Sequence, residues 1–140
     1  MPSSVIHFFC PACWAETAGD DRVCPRCGAD MEAVQQGRDY VDKLIAALGH
    51  PEPETRARAA LILGLRRETR GVDPLIRVLR QAHDASLVEV AIVALGRIGD
   101  PRSREVIEGV GIRSSLRVRQ AARLALALLP ARVEDRREPN

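Results

Sequence analysis

The sequence predicts a mostly α protein: an α-solenoid of about three helical hairpins, preceded by a small β module. Three observations carry this reading. All four cysteines lie between Cys10 and Cys27, in two Cys-x-x-Cys pairs separated by ten residues. From residue 41 onward the apolar pattern recurs with a period near 31 or 32 residues, the signature of stacked repeats. Aromatics make up only 3% of a chain that is 46% hydrophobic. The core must then be built from Leu, Val, Ile and Ala, which suits close helix packing better than a β-sandwich.

The predicted organisation is a cysteine module over residues 1–30, a connector over 31–40, the solenoid over 41–129, and a disordered charged tail over 130–140. The first residues, "MPSSVIHFF", lack the basic segment of a signal peptide. The longest apolar run, Leu124 to Leu129, falls far short of the roughly 20 residues of a membrane span. The expectation is a soluble, cytoplasmic protein with no membrane partner. In that reducing compartment paired cysteines serve metals more often than disulfides. Net charge is +2, but residues 1–38 carry three Arg against five Asp/Glu while residues 39–140 carry 18 basic and 14 acidic residues. The cysteine module is thus acidic and the remainder mildly basic.

In the module, Cys10-Pro11-Ala12-Cys13 and Cys24-Pro25-Arg26-Cys27-Gly28 each form a tight knuckle that can aim two sulfurs at one point. Proline stiffens the turn, and Gly28 supplies a left-handed position just beyond it. The intervening "WAETAGDDRV" reads as two short strands turning at Gly19-Asp20-Asp21. This arrangement resembles a zinc ribbon, which implies Cys10, Cys13, Cys24 and Cys27 as ligands of a structural Zn2+. Iron in a rubredoxin-like site is the minor alternative. A redox pair would need a helix N-terminus in a βαβ setting, which this segment lacks, and a disulfide clip suits the compartment poorly. Four thiolates also leave a zinc ion no open position for hydrolytic chemistry. A module this small has almost no core, so its folding would depend on the metal. Trp14 stands where the second knuckle has Gly28 and is expected to cover the site. His7 is read as a strand residue rather than a ligand.

The solenoid follows from three aligned segments: Thr55–Gly64, Leu87–Gly96 and Val118–Ala127. Ala59, Ala91 and Ala122 correspond, as do Leu63, Leu95 and Leu126. Gly64 and Gly96 correspond to Ala127. Each segment follows a shorter helix: "VDKLIAAL", "VDPLIRVL" and "REVIEGVG". Pro74 is tolerated in a first helical turn, and Gly109 and Gly111 weaken the third unit's first helix. No unit can bury its apolar stripe alone, so the units stack. These segments, with "LGRIGDPRS" (Leu95–Ser103), resemble HEAT repeats of the short variety named after phycobilisome lyases. Arg123 occupies the position of Ala60 and Ile92. It reads as a terminal cap, or else as a side chain snorkelling between units.

The resemblance implies a protein-binding surface lined by the second helix of each unit. The candidate lining residues are Arg56, Arg58, Val88, Glu89 and Arg119. A relative within the resemblance, deoxyhypusine hydroxylase, holds two irons through His-Glu pairs; here His50 precedes Pro51 and His83 precedes Asp84, so both histidines read as solvated turn residues. No phosphate-binding loop or nucleophilic triad is present in the sequence. The expected function is a non-enzymatic protein–protein adaptor with an unidentified protein partner. A nucleic-acid-associated role is the alternative, disfavoured because Arg113, Arg117, Arg119 and Arg123 do not share one stripe and no aromatics interleave with them. Self-association through Leu116 and Leu124 is a further expectation.

Overall fold

The computed structural model describes residues 7–112 and 114–132. Two short strands, β1 (Phe8–Phe9) and β2 (Glu16–Thr17), pair antiparallel with Phe8 opposite Thr17. Among the described residues seven helices follow: α1 (Met31–Gln36), α2 (Tyr40–Ala47), α3 (Pro53–Leu65), α4 (Val72–Gln81), α5 (Ala85–Ile98), α6 (Ser103–Gly111) and α7 (Leu116–Leu128). A single 3-10 turn, Thr69–Gly71, leads into α4.

Local chemistry sets the helix starts. Asp30, Asp84 and Ser115 each accept a backbone N–H at the head of α1, α5 and α7. Asp39 and Asp42 form a reciprocal capping box on α2. Pro53 opens α3, where its missing N–H is of no consequence.

The helices pair as α2 with α3, α4 with α5, and α6 with α7, the three predicted hairpins. The second helices α3, α5 and α7 then stack directly on one another, and α4 packs on α6. Leu63, Leu75, Ile92, Leu95 and Ile107 are completely buried between the layers. The second-helix layer closes through small residues. A β-carbon on Gly64 would stand 2.6 Å from the Ala94 Cα, and one on Gly96 would stand 2.8 Å from the Ala125 Cα. Ala127, their counterpart in the third unit, is exposed: among the described residues no further helix packs there.

Ion pairs repeat along the stack. Arg70 binds Asp39 at 2.9 Å and Asp42 at 3.4 Å; one unit on, Arg102 binds Asp73 at 3.2 Å and Asp100 at 2.8 Å. Each arginine ties the turn before one unit to the first helix of the unit before it. Arg104 instead donates to the carbonyls of Leu126, Leu129 and Pro130, satisfying the C-terminal end of α7.

One expectation needs correction. The short strands between the knuckles do not pair with each other as one hairpin. β1 and β2 flank the first knuckle, and an isolated bridge between Val23 and Asp30 flanks the second. Each knuckle is itself the turn of a small hairpin, and the turn at Ala18–Asp21 only joins the two. The connector is largely helical, with α1 filling most of it. At the start of the tail Arg132 pairs with Glu108. The remaining tail residues, and Arg113, lie outside the described residues.

The seam predicts opposite outcomes for one kind of substitution. Gly64→Ala is expected to destabilise by about 1–3 kcal/mol through overpacking, although alanine is the better helix former. Gly109→Ala, with nothing within 4 Å of the added carbon, is expected to stabilise by up to about 1 kcal/mol. Urea unfolding of both variants checks the signs.

The ion pairs predict a pH dependence. The backbone N–H of Asp42, followed by Arg70, holds the Asp39 carboxyl below the usual carboxylate range, and Arg102 does the same for Asp100. A depressed folded pKa stabilises fully above the unfolded value and is lost as pH falls through the folded one. The stability difference between wild type and Arg70→Ala is therefore expected to be largest at neutral pH and to shrink on acidification below the carboxylate range, read by melting at a series of pH values.

Candidate metal centre and interaction faces

The two knuckles are near copies. Cys10 and Cys24 accept from the N–H of Trp14 and Gly28, and donate their own N–H to Ala15 and Ala29, all four bonds at 2.9 Å. The position after each second cysteine is left-handed, with φ 74° at Gly28 and 60° at Trp14. Glycine takes this conformation freely, whereas tryptophan is strained in it. Trp14 is held there by what it touches rather than by preference.

The four sulfurs converge. All lie within 4.8 Å of one another, with Cys10–Cys27 and Cys13–Cys24 each at 3.7 Å. A tetrahedral ion with bonds of about 2.3 Å to sulfur has S–S edges of about 3.8 Å, which these two pairs match, so the quartet could hold a metal ion. Cys10 and Cys24 are buried, while Cys13 is half-buried and Cys27 exposed. Backbone N–H groups of Cys27 and Arg26 help lower the Cys24 thiol to about 7. Cys27 also meets a backbone N–H, from Ala29, but burial and the thiols of Cys13, Cys24 and Cys10 push it up to about 11. One thiolate thus forms easily and a further one is opposed by its neighbours, a conflict that a bound cation removes. Such an ion would tie the two knuckles together and, with four sulfurs around it, would offer no site to a substrate.

The module is anchored on the first helical unit. His50, just after α2, meets the rings of Phe9 and Trp14 edge-on, each at 4.8 Å between centroids. The Trp14 indole lies over Gly49, where a β-carbon would be 3.1 Å from its Nε1. Arg38 donates to the Pro11 carbonyl at 2.8 Å. Trp14 therefore packs between ribbon and solenoid, and His50 is not the solvated turn residue expected; its Nδ1 also accepts the Glu52 N–H. His83 is exposed in its turn as expected. His7 stacks on Phe9 and meets Glu16, outside the sulfur cluster.

The five proposed partner-binding residues do not form one surface. Val88 is buried, so its assignment to an exposed lining is wrong. It belongs to the inward stripe with Ala91, Ile92 and Leu95, one helical turn along. Arg56, at the same repeat position, is half-buried, and its Nε is enclosed without a partner. Arg119, the third member, is exposed but faces α6, near Ile107 and Ile112. Glu89 is half-buried and pairs with Arg117 at 3.1 Å. Arg58 is exposed, although its repeat equivalents Val90 and Ala121 pack on or in the core.

The open face of the second-helix layer is formed five residues beyond Arg56, Val88 and Arg119, about 140° further round each helix. Leu61, Val93 and Leu124 are equivalent, as are Leu65, Arg97 and Leu128. Leu61, Leu65, Leu124 and Leu128 are exposed by 42–69%, and Val93 is half-buried between them. A scan against protein families matches residues 41–127 to HEAT repeats.

The chain belongs to the HEAT-repeat family.

The match spans α2 to α7 and leaves the cysteine module outside it. No curated protein matches the chain. HEAT arrays present extended surfaces from their stacked helices, and here the open layer is apolar at its centre. The sequence held a signal for it. Leu61 lies two residues, about 200°, from the buried Leu63, so an apolar residue there has to face away from the core. No described helix is long and apolar enough to cross a membrane.

Cys24→Ser is expected to abolish stoichiometric metal binding and to unfold the module, while α5 and its neighbours stay helical. Metal analysis and two-dimensional NMR check this. One tightly held ion per variant chain would contradict the site.

Proposed function

We propose that the protein is a non-enzymatic adaptor whose HEAT layer binds a protein partner, with a structural zinc ion holding the N-terminal ribbon on the first unit. The observation that carries it is the apolar ladder Leu61–Val93–Leu124, flanked by Leu65 and Leu128, on three stacked helices. Exposed apolar residues scattered singly are ordinary, but a contiguous row at equivalent repeat positions suits an interaction surface. Zinc is favoured over iron because the four-sulfur knuckle pair resembles a zinc ribbon. Convergent thiols suit a reducing compartment, and we place the protein in the cytoplasm. Of the short-repeat relatives, the scaffold branch fits better than the lyase branch, since the residues on the open layer are aliphatic and basic, without a paired acid and base.

The nucleic-acid reading is the less favoured. Arg70, Arg102, Arg104 and Arg117 are all engaged by carboxylates, which reduces the charge available to phosphates.

A tagged chain drawn from native lysate, split into nuclease-treated and untreated halves, separates these readings. A stoichiometric protein is expected to survive nuclease and to be lost with Leu61→Glu plus Leu124→Glu at unchanged helicity. Recovery that vanishes with nuclease would overturn the adaptor reading. Metal analysis of the purified chain is expected to return zinc; visible iron–thiolate absorption would return iron.

A further inference from the structure

A second surface lies at the end of the stack, away from the open layer. In the first two units, the groove between a unit's two helices seats the next unit: α5 packs on α3, α7 on α5 and α6 on α4. In the third unit the equivalent groove, between α6 and α7, is a shallow, open depression of about 290 Å³. Its floor keeps the apolar character of the others. Ile107 and Ala122 are buried there beside Leu126, and Ile112 stands 79% exposed at one end.

The rim differs. Ile76, Val88 and Ile92, all no more than 9% exposed in the second unit, are replaced at the equivalent positions by Glu108, Arg119 and Arg123. The Glu108 charge is met by Arg104 and Arg132. Arg119 and Arg123 lie one helical turn apart on the same face, and both are exposed. Among the described residues neither forms an ion pair. Two positive charges without an ion partner among the described residues therefore border an apolar groove equivalent to those that seat the helices of the next unit twice elsewhere in this molecule.

We propose that this end groove binds an amphipathic helix of a partner protein, one that carries acidic residues beside its apolar stripe. Shape argues for a helix, because helices occupy the two equivalent grooves. Charge argues for acids, because Arg119 and Arg123 would each be left facing a low-dielectric contact by a neutral or basic partner. The same arginines disfavour two copies pairing α7 against α7, since like charges would meet. The proposal rests on the interaction reading of the HEAT array but uses a different face, so the two can fail separately.

The test uses the full metal-loaded chain and a fluorescein-labelled, stapled helix of about 16 residues, stapled because so short a helix is marginal alone. It carries a Leu/Ala stripe flanked by Glu; a control carries Lys in place of Glu. The acidic helix is expected to bind saturably by fluorescence anisotropy, at least about tenfold more tightly than the control. Arg119→Glu with Arg123→Glu is expected to reverse that preference, and Ile112→Ser to weaken binding; all three side chains are exposed, and circular dichroism verifies the fold. Leu61→Glu with Leu124→Glu is expected to leave this binding intact, which separates the groove from the open layer. No saturable binding, equal binding of both helices, or indifference to the arginine reversals would overturn the proposal. So would binding that emerges only after removal of residues 133–140, which would make the chain's own tail the occupant. Concentration-dependent self-association abolished by Arg123→Glu would equally replace the partner helix with a second copy.

Discussion

The architecture depends on one close contact made twice: Gly64 against Ala94, and Gly96 against Ala125. At these points the second helices approach so nearly that no β-carbon fits on the glycine side. The approach fixes how α3, α5 and α7 are rotated about their axes. That rotation buries Leu63 and Leu95 completely and turns Leu61 and Leu124 outward. With few aromatics to fill wide gaps, the chain gains its core by proximity of small residues, where dispersion contacts are dense. The ion pairs of Arg70 and Arg102 repeat at the same interval. Being largely exposed, they serve register more than stability.

Two surfaces of different character follow from that rotation. The open layer shows a row of aliphatic side chains at matching repeat positions. The end groove shows what the seam leaves when no described helix packs on it: Ala127 exposed where glycines are covered, and charges where Ile76, Val88 and Ile92 are buried. At the opposite end the first unit is covered by the cysteine module, through Phe9, Trp14 and His50. The strained backbone of Trp14 is thereby accounted for. Its ring is the wedge between module and solenoid, and the knuckle accepts an unfavourable φ so that the wedge reaches His50 and Gly49.

Much of this was legible in the sequence because it rests on spacing. Two Cys-x-x-Cys pairs, with Gly28 after the second, mark the four-cysteine cluster without any tertiary knowledge. Alanines, leucines and glycines recurring near every 32 residues define the hairpins and their stacking. What was not legible depended on angle or on distant contact. Strands of two residues carry no alternation to read, so the ribbon hairpins were placed one segment too late. Val88 and Arg56 were assigned to the surface by their place in a second helix alone, whereas a rotation of 100° per residue decides which face a position takes. His50 could be assigned only once the ribbon was seen against α2, a contact between segments about 36 residues apart with no local pattern. Arg123 was recognisable alone as a break in the repeat, but its meaning required Glu108 and Arg119 around the same groove.

The central claim is the rotation of the second helices, since both surfaces follow from it. Carbene footprinting of the full metal-loaded chain, read residue by residue after proteolysis, measures it directly. The account predicts strong labelling of Leu61, Leu65, Leu124 and Leu128, with Leu63, Val88 and Leu95 silent. Comparable labelling of Leu63 and Leu95, or protection of Leu61 and Leu124 in the isolated chain, would contradict it. The seam, the open layer and the end groove would then all have to be redrawn.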